Sequence, residues 1–308
     1  MRRILVTGAA SWLGGQVVQR LEHRAGTEVI ATDRTAPSVP FAASSMMLST
    51  DPLDLAQVVM DTAPDVVVDL RASGDEADRL PDGGAVGLDT QALAAAVVRT
   101  QSVRRVVVQS DTALYGWGPR SPSVIREESE TGGERTPYGR MLEDAERCFA
   151  EAAAERDLDV VILRLAPIVG SSIANPLSRY LRLPVVPTLL GFDPRLQLLH
   201  EADAVRLLEH AAISSGSGTC NVAAPGQLYL SRALRLGGRV PKPLFGRGFD
   251  AAMAAMRRAG LVMPRHLQLL VRHGRVTDIG RMGHLLEVEP RHDCREAVLA
   301  LHGRGTAS

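Results

Sequence analysis

The chain has almost no lysine. Lys242 is the single one in 308 residues, so nearly every basic group is an arginine. Lys and Arg together number 35, Asp and Glu also 35, and the formal net charge is zero. Such a balance excludes the basic footprint of a nucleic-acid or polyanion binder. Three cysteines, Cys148, Cys220 and Cys294, stand far apart. That spacing excludes a disulfide framework and a CxxC metal centre, and reduced thiols in a cytoplasmic protein are the expectation. No apolar run reaches the length of a bilayer span, and Met1-Arg2-Arg3 leads straight into a strand with no leader-type segment between. Internal repeats and low-complexity tracts are missing too. No metal, membrane or nucleic-acid partner is expected.

What is present begins with Val6-Thr7-Gly8-Ala9-Ala10-Ser11-Trp12-Leu13-Gly14-Gly15. It follows the apolar run Ile4-Leu5-Val6 and opens a helical spacing of Leu13, Val17, Val18 and Leu21. Strand, glycine-rich turn and helix in that order let backbone N–H groups approach a pyrophosphate. Glycine serves where a Cβ would collide with the phosphate or force a strained φ. A second apolar run, residues 28–32, ends at Asp33, an acid suited to a ribose hydroxyl pair.

Apolar runs and helix-period segments alternate through the first half. Strands are predicted at residues 4–6, 29–32, 46–48, 65–70, 105–109 and 160–163. Helices are predicted at 13–23, 53–62, 88–100 and 137–156, the last opened by Pro137. Residues 72–87 and 116–133 read as loops. Continuous β-branched runs such as Val66-Val67-Val68 mark strands buried on both faces. The alternation predicts an α/β fold, a Rossmann-type doubly wound parallel sheet with right-handed crossovers. After Gly170 the period is lost through residue 194. A strand at 196–200, a helix at 202–212 and a strand at 219–222 follow, then a Pro/Gly-rich stretch at 241–248 and short helices and turns over 249–301. Residues 1–170 are expected to form the dinucleotide-binding domain, with 196–222 returning to it. Residues 171–195 and 223–308 are expected to form a smaller C-terminal α+β substrate lobe over the carboxyl edge of the sheet.

On these residues the chain resembles, over nearly its whole length, the extended short-chain dehydrogenase/reductase family in its nucleotide-sugar epimerase/dehydratase branch. Thr7-Gly8, Ser11 and Leu13-Gly14 stand at the family's TGxxGxxG turn, with serine for the middle glycine, where its side chain narrows the approach to the phosphate. Asp33 resembles the choice of NAD, while the adjacent Arg34 would suit the 2′-phosphate of NADP. Asp51 stands at the family's GD dipeptide near the adenine. Asp69-Leu70-Arg71-Ala72 replaces HLAA, and the large Arg71 would either meet a phosphate or block the cleft. Ser110-Asp111-Thr112-Ala113-Leu114-Tyr115-Gly116 matches SSxxVYG, with Asp111 in place of the catalytic serine. Residues 163–170 resemble LRPxxVYG, whose Pro167 passes the nicotinamide. Residues 191–203 resemble the stretch leading to the VHVxD helix, with Asp203 as a cap or turn residue and Arg195 and His200 read as solvated or packed. Residues 274–278 and 289–291 resemble the family's terminal motifs.

The resemblance therefore implies cofactor contacts from Gly8, Ser11, Trp12, Leu13, Gly14, Asp33, Arg34, Asp51, Leu70, Arg71, Ser110, Tyr138 and Pro167. It implies catalytic roles for Tyr138, Asp111 and Thr112, a nucleotide-linked small substrate, and a homodimer through helices around 88–98 and 142–149. One departure stands out. The family's YxxxK begins at Tyr138, but Leu142 holds the lysine position. A phenol of pKa near 10 needs a positive field to act as an acid/base at working pH. Leucine supplies none. Arg140 does not repair this, because two residues along a helix points to another face. Asp111, if ionised nearby, would raise the phenol further. Two readings follow: an oxidoreductase with Asp111 as base and Tyr138 as hydrogen-bond donor, or a catalytically inactive dinucleotide-binding sensor, regulatory or assembly protein. A scaffold that has lost the cofactor as well is a third.

Overall fold

β-branched runs build the centre of one parallel sheet. The computed structural model describes residues 1–49, 51–72, 84–118, 121–129 and 132–304. Seven strands pair, β1 (Arg2–Thr7), β2 (Thr27–Asp33), β3 (Ser44–Met47), β4 (Val66–Asp69), β5 (Arg105–Asp111), β6 (Asp159–Leu165) and β11 (Gly218–Val222). Their order is β11-β6-β5-β4-β1-β2-β3, every pair parallel. The order reverses beside β1, and that switch point opens a crevice at the carboxyl ends of the strands. The predicted α/β doubly wound sheet is what the chain forms.

Three of the crossover helices start on a readable signal. Ser11 caps α1 (Trp12–Glu22), Asp51 caps α2 (Pro52–Thr62), and Thr136 caps α4 (Pro137–Arg156), the last two with proline in the first turn. Helix α3 (Gly84–Arg99) precedes β5. One face of the sheet buries Val17, Val18 and Leu21 of α1 against Leu207 and Leu208 of α6 (Glu201–Ile213). The other buries Val58 and Val59 of α2, Leu93 and Val97 of α3 and Phe149 of α4. A third cluster joins Tyr138 and Leu142 of α4 to Phe249, Leu267 and Val298 in the C-terminal part.

The structure departs from expectation mainly after Gly170. A short helix, α5 (Pro176–Leu181), interrupts the aperiodic stretch, capped by Asn175. Strands β8 (Val185–Leu189) and β13 (Val240–Leu244) pair in parallel although Pro187, Pro241 and Pro243 lie in them. A two-stranded ribbon leaves one side of each strand free of ladder bonds, so proline is tolerated. The single strand predicted at 196–200 is two short bridges. Arg195–Leu196 (β9) pairs with Leu228–Tyr229 (β12), and Leu199–His200 (β10) pairs with Ile168–Val169 (β7). Between them Gln197 turns its side chain inward to accept from Thr277 and donate to the Ala224 carbonyl. Helix α3 begins at Gly84, inside the segment read as a 72–87 loop; residues 73–83 of that loop lie outside the described residues. Four further helices complete the C-terminal part after α7 (Leu230–Leu236), namely α8 (Gly246–Arg258), α9 (Arg265–His273), α10 (Gly280–Leu286) and α11 (Cys294–Leu301). No helix among the described residues is long and apolar enough to cross a membrane.

Candidate functional site

The turn after β1 is closed by its own atoms. A Cβ on Gly8 would lie 2.4 Å from the Leu70 carbonyl oxygen, and Gly8 holds φ +76°, where glycine is favoured. A Cβ on Gly14 would lie 2.1 Å from the Gly8 oxygen. The Ser11 hydroxyl donates to the Gly8 carbonyl and accepts from Gly14 N–H, both at 2.9 Å. It thus serves as the helix cap, and Ser11 also lines the main cavity. The N–H groups of Trp12 and Leu13 are the remaining donors of a helix start, and both residues line the main cavity. That is the donor set a pyrophosphate requires.

Beside the turn lies a ring of charge. Asp33 accepts from the N–H groups of Ala10 and Arg34 at 2.9 and 2.6 Å. Arg34 reaches across to Asp89 on α3 at 2.7 Å and to the Ser49 carbonyl. Arg71 forms a two-pronged pair with Asp69, both contacts 2.8 Å, and Asp69 also accepts from Thr7. Arg71 therefore neither projects at a phosphate nor crosses the cleft, because a carboxylate two residues away holds it. Burial pushes the Asp69 carboxyl up, but Arg71 beside it prevails and holds it below the usual range. Asp51 lies off the crevice and accepts from Leu53 N–H at the start of α2.

The cavity itself, about 390 Å³, runs from Ser11, Trp12 and Leu13 past Leu70, Ala72 and Pro167 to Gln109, Asp111 and Tyr138. Tyr138 is 2% exposed, and its hydroxyl donates to the Ala72 carbonyl at 3.3 Å. Asp111 caps the turn at Thr112–Tyr115 by accepting from Ala113 N–H at 2.6 Å. Burial drives its carboxyl above the usual range, against the pull of His266, the Ala113 N–H and Arg275. His266, from the start of α9, completes this end of the wall; its ring centroid is 4.5 Å from that of Tyr138.

A model of the NAD-dependent epimerase/dehydratase family matches residues 4–213. The chain belongs to that family, within the extended short-chain dehydrogenases/reductases. An uncharacterized protein of Mycobacterium tuberculosis is 36% identical over 313 residues, spanning 96% of this chain and 81% of its own. UDP-glucose 4-epimerase from Brucella ovis, solved with NAD, superposes with a TM-score of 0.75 at 18% identity over 99% of each chain. UDP-glucose 4-epimerase from Thermotoga maritima, solved with UDP-glucose, gives 0.74 at 20% identity over 98% of each. At these identities the structures speak for the fold alone.

Against the family pattern, several residues stand away from the cavity. Leu142, at the lysine position, is 1% exposed and packs in the apolar cluster with Tyr138 and Tyr115. Ser110 faces the other side of β5 from Asp111, where its hydroxyl donates to Glu146 at 2.5 Å. Glu146 also holds Arg164, which donates to Tyr115. Thr112 is buried, and its carbonyl accepts from Arg275. The structure thus brings Asp111 and Tyr138 to the cavity and leaves Thr112, Ser110, Asp33, Arg34, Asp51 and Arg71 outside its lining.

Residues unforeseen from the sequence include Gln109, Ala72, Asn175 and His266. Glu201 was also missed. Its carboxylate accepts from the N–H groups of Ser172 and Ile173 and from the Ser171 hydroxyl, bracing a loop that lines the cavity. A second cavity, about 330 Å³, lies behind the Thr112–Tyr115 turn, with Trp117, Arg195, Tyr229 and Arg275 in its wall. Arg275 sits over the Trp117 ring at 4.1 Å, and burial lowers its pKa to about 10. The Trp117 Nε1 and Arg275 Nε atoms are buried with no hydrogen-bond partner among the described residues. Away from both cavities, His200, Asp203 and His292 gather. His200 Nδ1 accepts from Ala202 N–H, so its other nitrogen carries the ring hydrogen. His292 bonds Asp203, and the two rings stack at 3.9 Å. This trio ties residues 291–292 to the start of α6.

Proposed function

We propose that the chain is an oxidoreductase of the epimerase/dehydratase type that holds a nicotinamide dinucleotide and acts on a hydroxyl of a nucleotide-linked or other small compound. The observation that carries this reading is one continuous cavity from the orphan donors of Trp12 and Leu13 to Tyr138 and Asp111. Trp12 and Leu13 N–H would hold the pyrophosphate, and Leu70, Ala72 and Pro167 would line the dinucleotide. When bound, the nicotinamide ring supplies hydride exchange. Asp33, Asp69 and Asp89 outnumber Arg34 and Arg71 by one, a net negative charge that favours NAD over a 2′-phosphorylated dinucleotide. Tyr138 would bond the substrate oxygen, and Asp111, a carboxyl made more basic by burial, would take the proton. The second cavity, with Tyr229 and Arg195 in its wall, would take the nucleotide portion. Residues 1–170 with 196–222 would serve as cofactor domain, and 171–195 with 223–308 as substrate lobe. A cytoplasmic homodimer through α3 and α4 fits the family, although Leu142 and Phe149 face inward.

The burial of Leu142 favours a second reading, a dinucleotide-binding protein without hydride transfer. One titration separates the two from a cofactor-free scaffold. Trp12 lies in the turn and Trp117 behind the Thr112–Tyr115 turn, and they are the only tryptophans. Addition of NAD⁺, NADH, NADP⁺ and NADPH to nucleotide-free protein is expected to quench fluorescence saturably, with NAD⁺ tighter than NADP⁺. Folded protein that responds to none of the four overturns both readings. Exchange of tritium between bound dinucleotide and UDP-glucose, the first probe, then divides enzyme from sensor.

A further inference from the structure

Helix α4 is apolar where the family carries an ammonium group, yet a nitrogen base reaches Tyr138 from the other lobe. His266 is the second residue of α9 and is 5% exposed. Its ring lies 4.5 Å from the Tyr138 ring, inclined by 40°, in the same cavity wall as Asp111. We propose that His266 is a positioning residue: from the cavity wall it shares with Asp111 and Tyr138, its ring packs against the phenol and, when protonated, favours the carboxylate form of Asp111. The inference rests on the dinucleotide-dependent reading of the cavity.

Several charged groups share this end of the cavity. Asp111 faces His266 and Arg275. Arg275 is committed to the carbonyls of Thr112 and Gly116 and stays cationic through neutral pH. Arg265, next in the chain, pairs with Glu134 at 2.7 Å. The Tyr138 hydroxyl donates to Ala72. A protonated imidazole is a stabilising partner for a buried carboxylate, and a neutral one is not. Burial raises the Asp111 carboxyl, and His266 and Arg275 oppose that. His266 makes and breaks no bond in this scheme. It acts through its field on a group that does.

The test is an NMR titration of the whole protein labelled at aspartate Cγ and tyrosine Cζ. Loss of the signal in Asp111→Asn and in Tyr138→Phe assigns the two resonances, the latter among four tyrosines. His266→Gln is expected to raise the Asp111 midpoint by about one pH unit, a tenfold change in proton affinity, and to leave the Tyr138 midpoint in place, since a phenol ionises only after an imidazolium has lost its proton. An Asp111 midpoint that moves by less than roughly 0.2 units overturns the proposal, since coupled sites must respond to each other. Should His266→Gln fail to fold, wild-type protein decides: the Asp111 signal shows a second inflection where the His266 ring titrates, and a single inflection overturns the coupling. NAD⁺ quenching on the same samples keeps the two ideas apart. An unmoved Asp111 midpoint with NAD⁺ bound sinks the role of His266 alone. Coupled titration in protein that binds no dinucleotide supports the coupling and sinks the functional reading.

Discussion

The two ends of the crevice are built from different materials. The phosphate end is backbone: Gly8 and Gly14 pack against main-chain atoms, and Ser11 bonds within the turn. The proton-handling end is side chain: Asp111, Tyr138 and His266 arrive from β5, α4 and α9. A backbone cradle has one solution, because a Cβ at 2 Å from a carbonyl has nowhere to go. A charge can be supplied from any element that reaches the spot. The family pattern is accordingly kept at the first end except at Ser11, whose hydroxyl bonds within the turn, and at the second it is rewritten at Asp111 and Leu142.

The sharpest way to break the first end is Gly14→Ala. Its Cβ would meet the Gly8 oxygen at 2.1 Å, and that oxygen belongs to the main chain. Loss of more than about 3 kcal/mol of stability is expected, with loss of NAD⁺ quenching. Normal melting together with normal binding would show that the turn relaxes and that its geometry is not the constraint.

At the second end, Leu142→Lys asks whether the missing ammonium can be put back. Leu142 sits in an apolar cluster, so a lysine there is expected to cost roughly 3 kcal/mol at pH 7 by urea denaturation. The cost should shrink at pH 10, where the amine loses its charge more readily. A variant as stable as wild type would mean that the ammonium reaches the cavity, as in the family pattern.

The contrast also explains what the sequence disclosed. Strands such as Val66–Asp69 and the turn at Gly8–Gly14 are local, so composition and order suffice to see them. The capped start of α5 was equally local, Asn175 followed by Pro176, but prolines elsewhere in the stretch masked it. Two site details were also within reach. Asp69 and Arg71, two apart at a strand end, share a side and pair. Ser110 alternates with Gln109 and Asp111 and so must face away from the cavity. His266 was out of reach, because its meeting with Tyr138 depends on the packing of α9 over α4, which no spacing along the chain encodes.

The smallest expected effect probes the cost of keeping Asp111 where it is. Its carboxyl titrates above the usual range because it is buried, so the folded chain binds a proton there more readily than the unfolded chain. Where the native state holds more protons, stability falls as pH rises. The penalty is absent below the unfolded value, grows through the raised folded value and is complete above it. Asp111→Asn keeps an oxygen that accepts from Ala113 N–H and removes the charge. The variant is therefore expected to match wild type near pH 4 and to become more stable than it by pH 8, a gain smaller than either loss above. Urea denaturation in steps between those values measures it. A difference that stays flat with pH would mean that Asp111 is as well solvated in the fold as outside it, and a buried base at this end of the crevice would have to be given up.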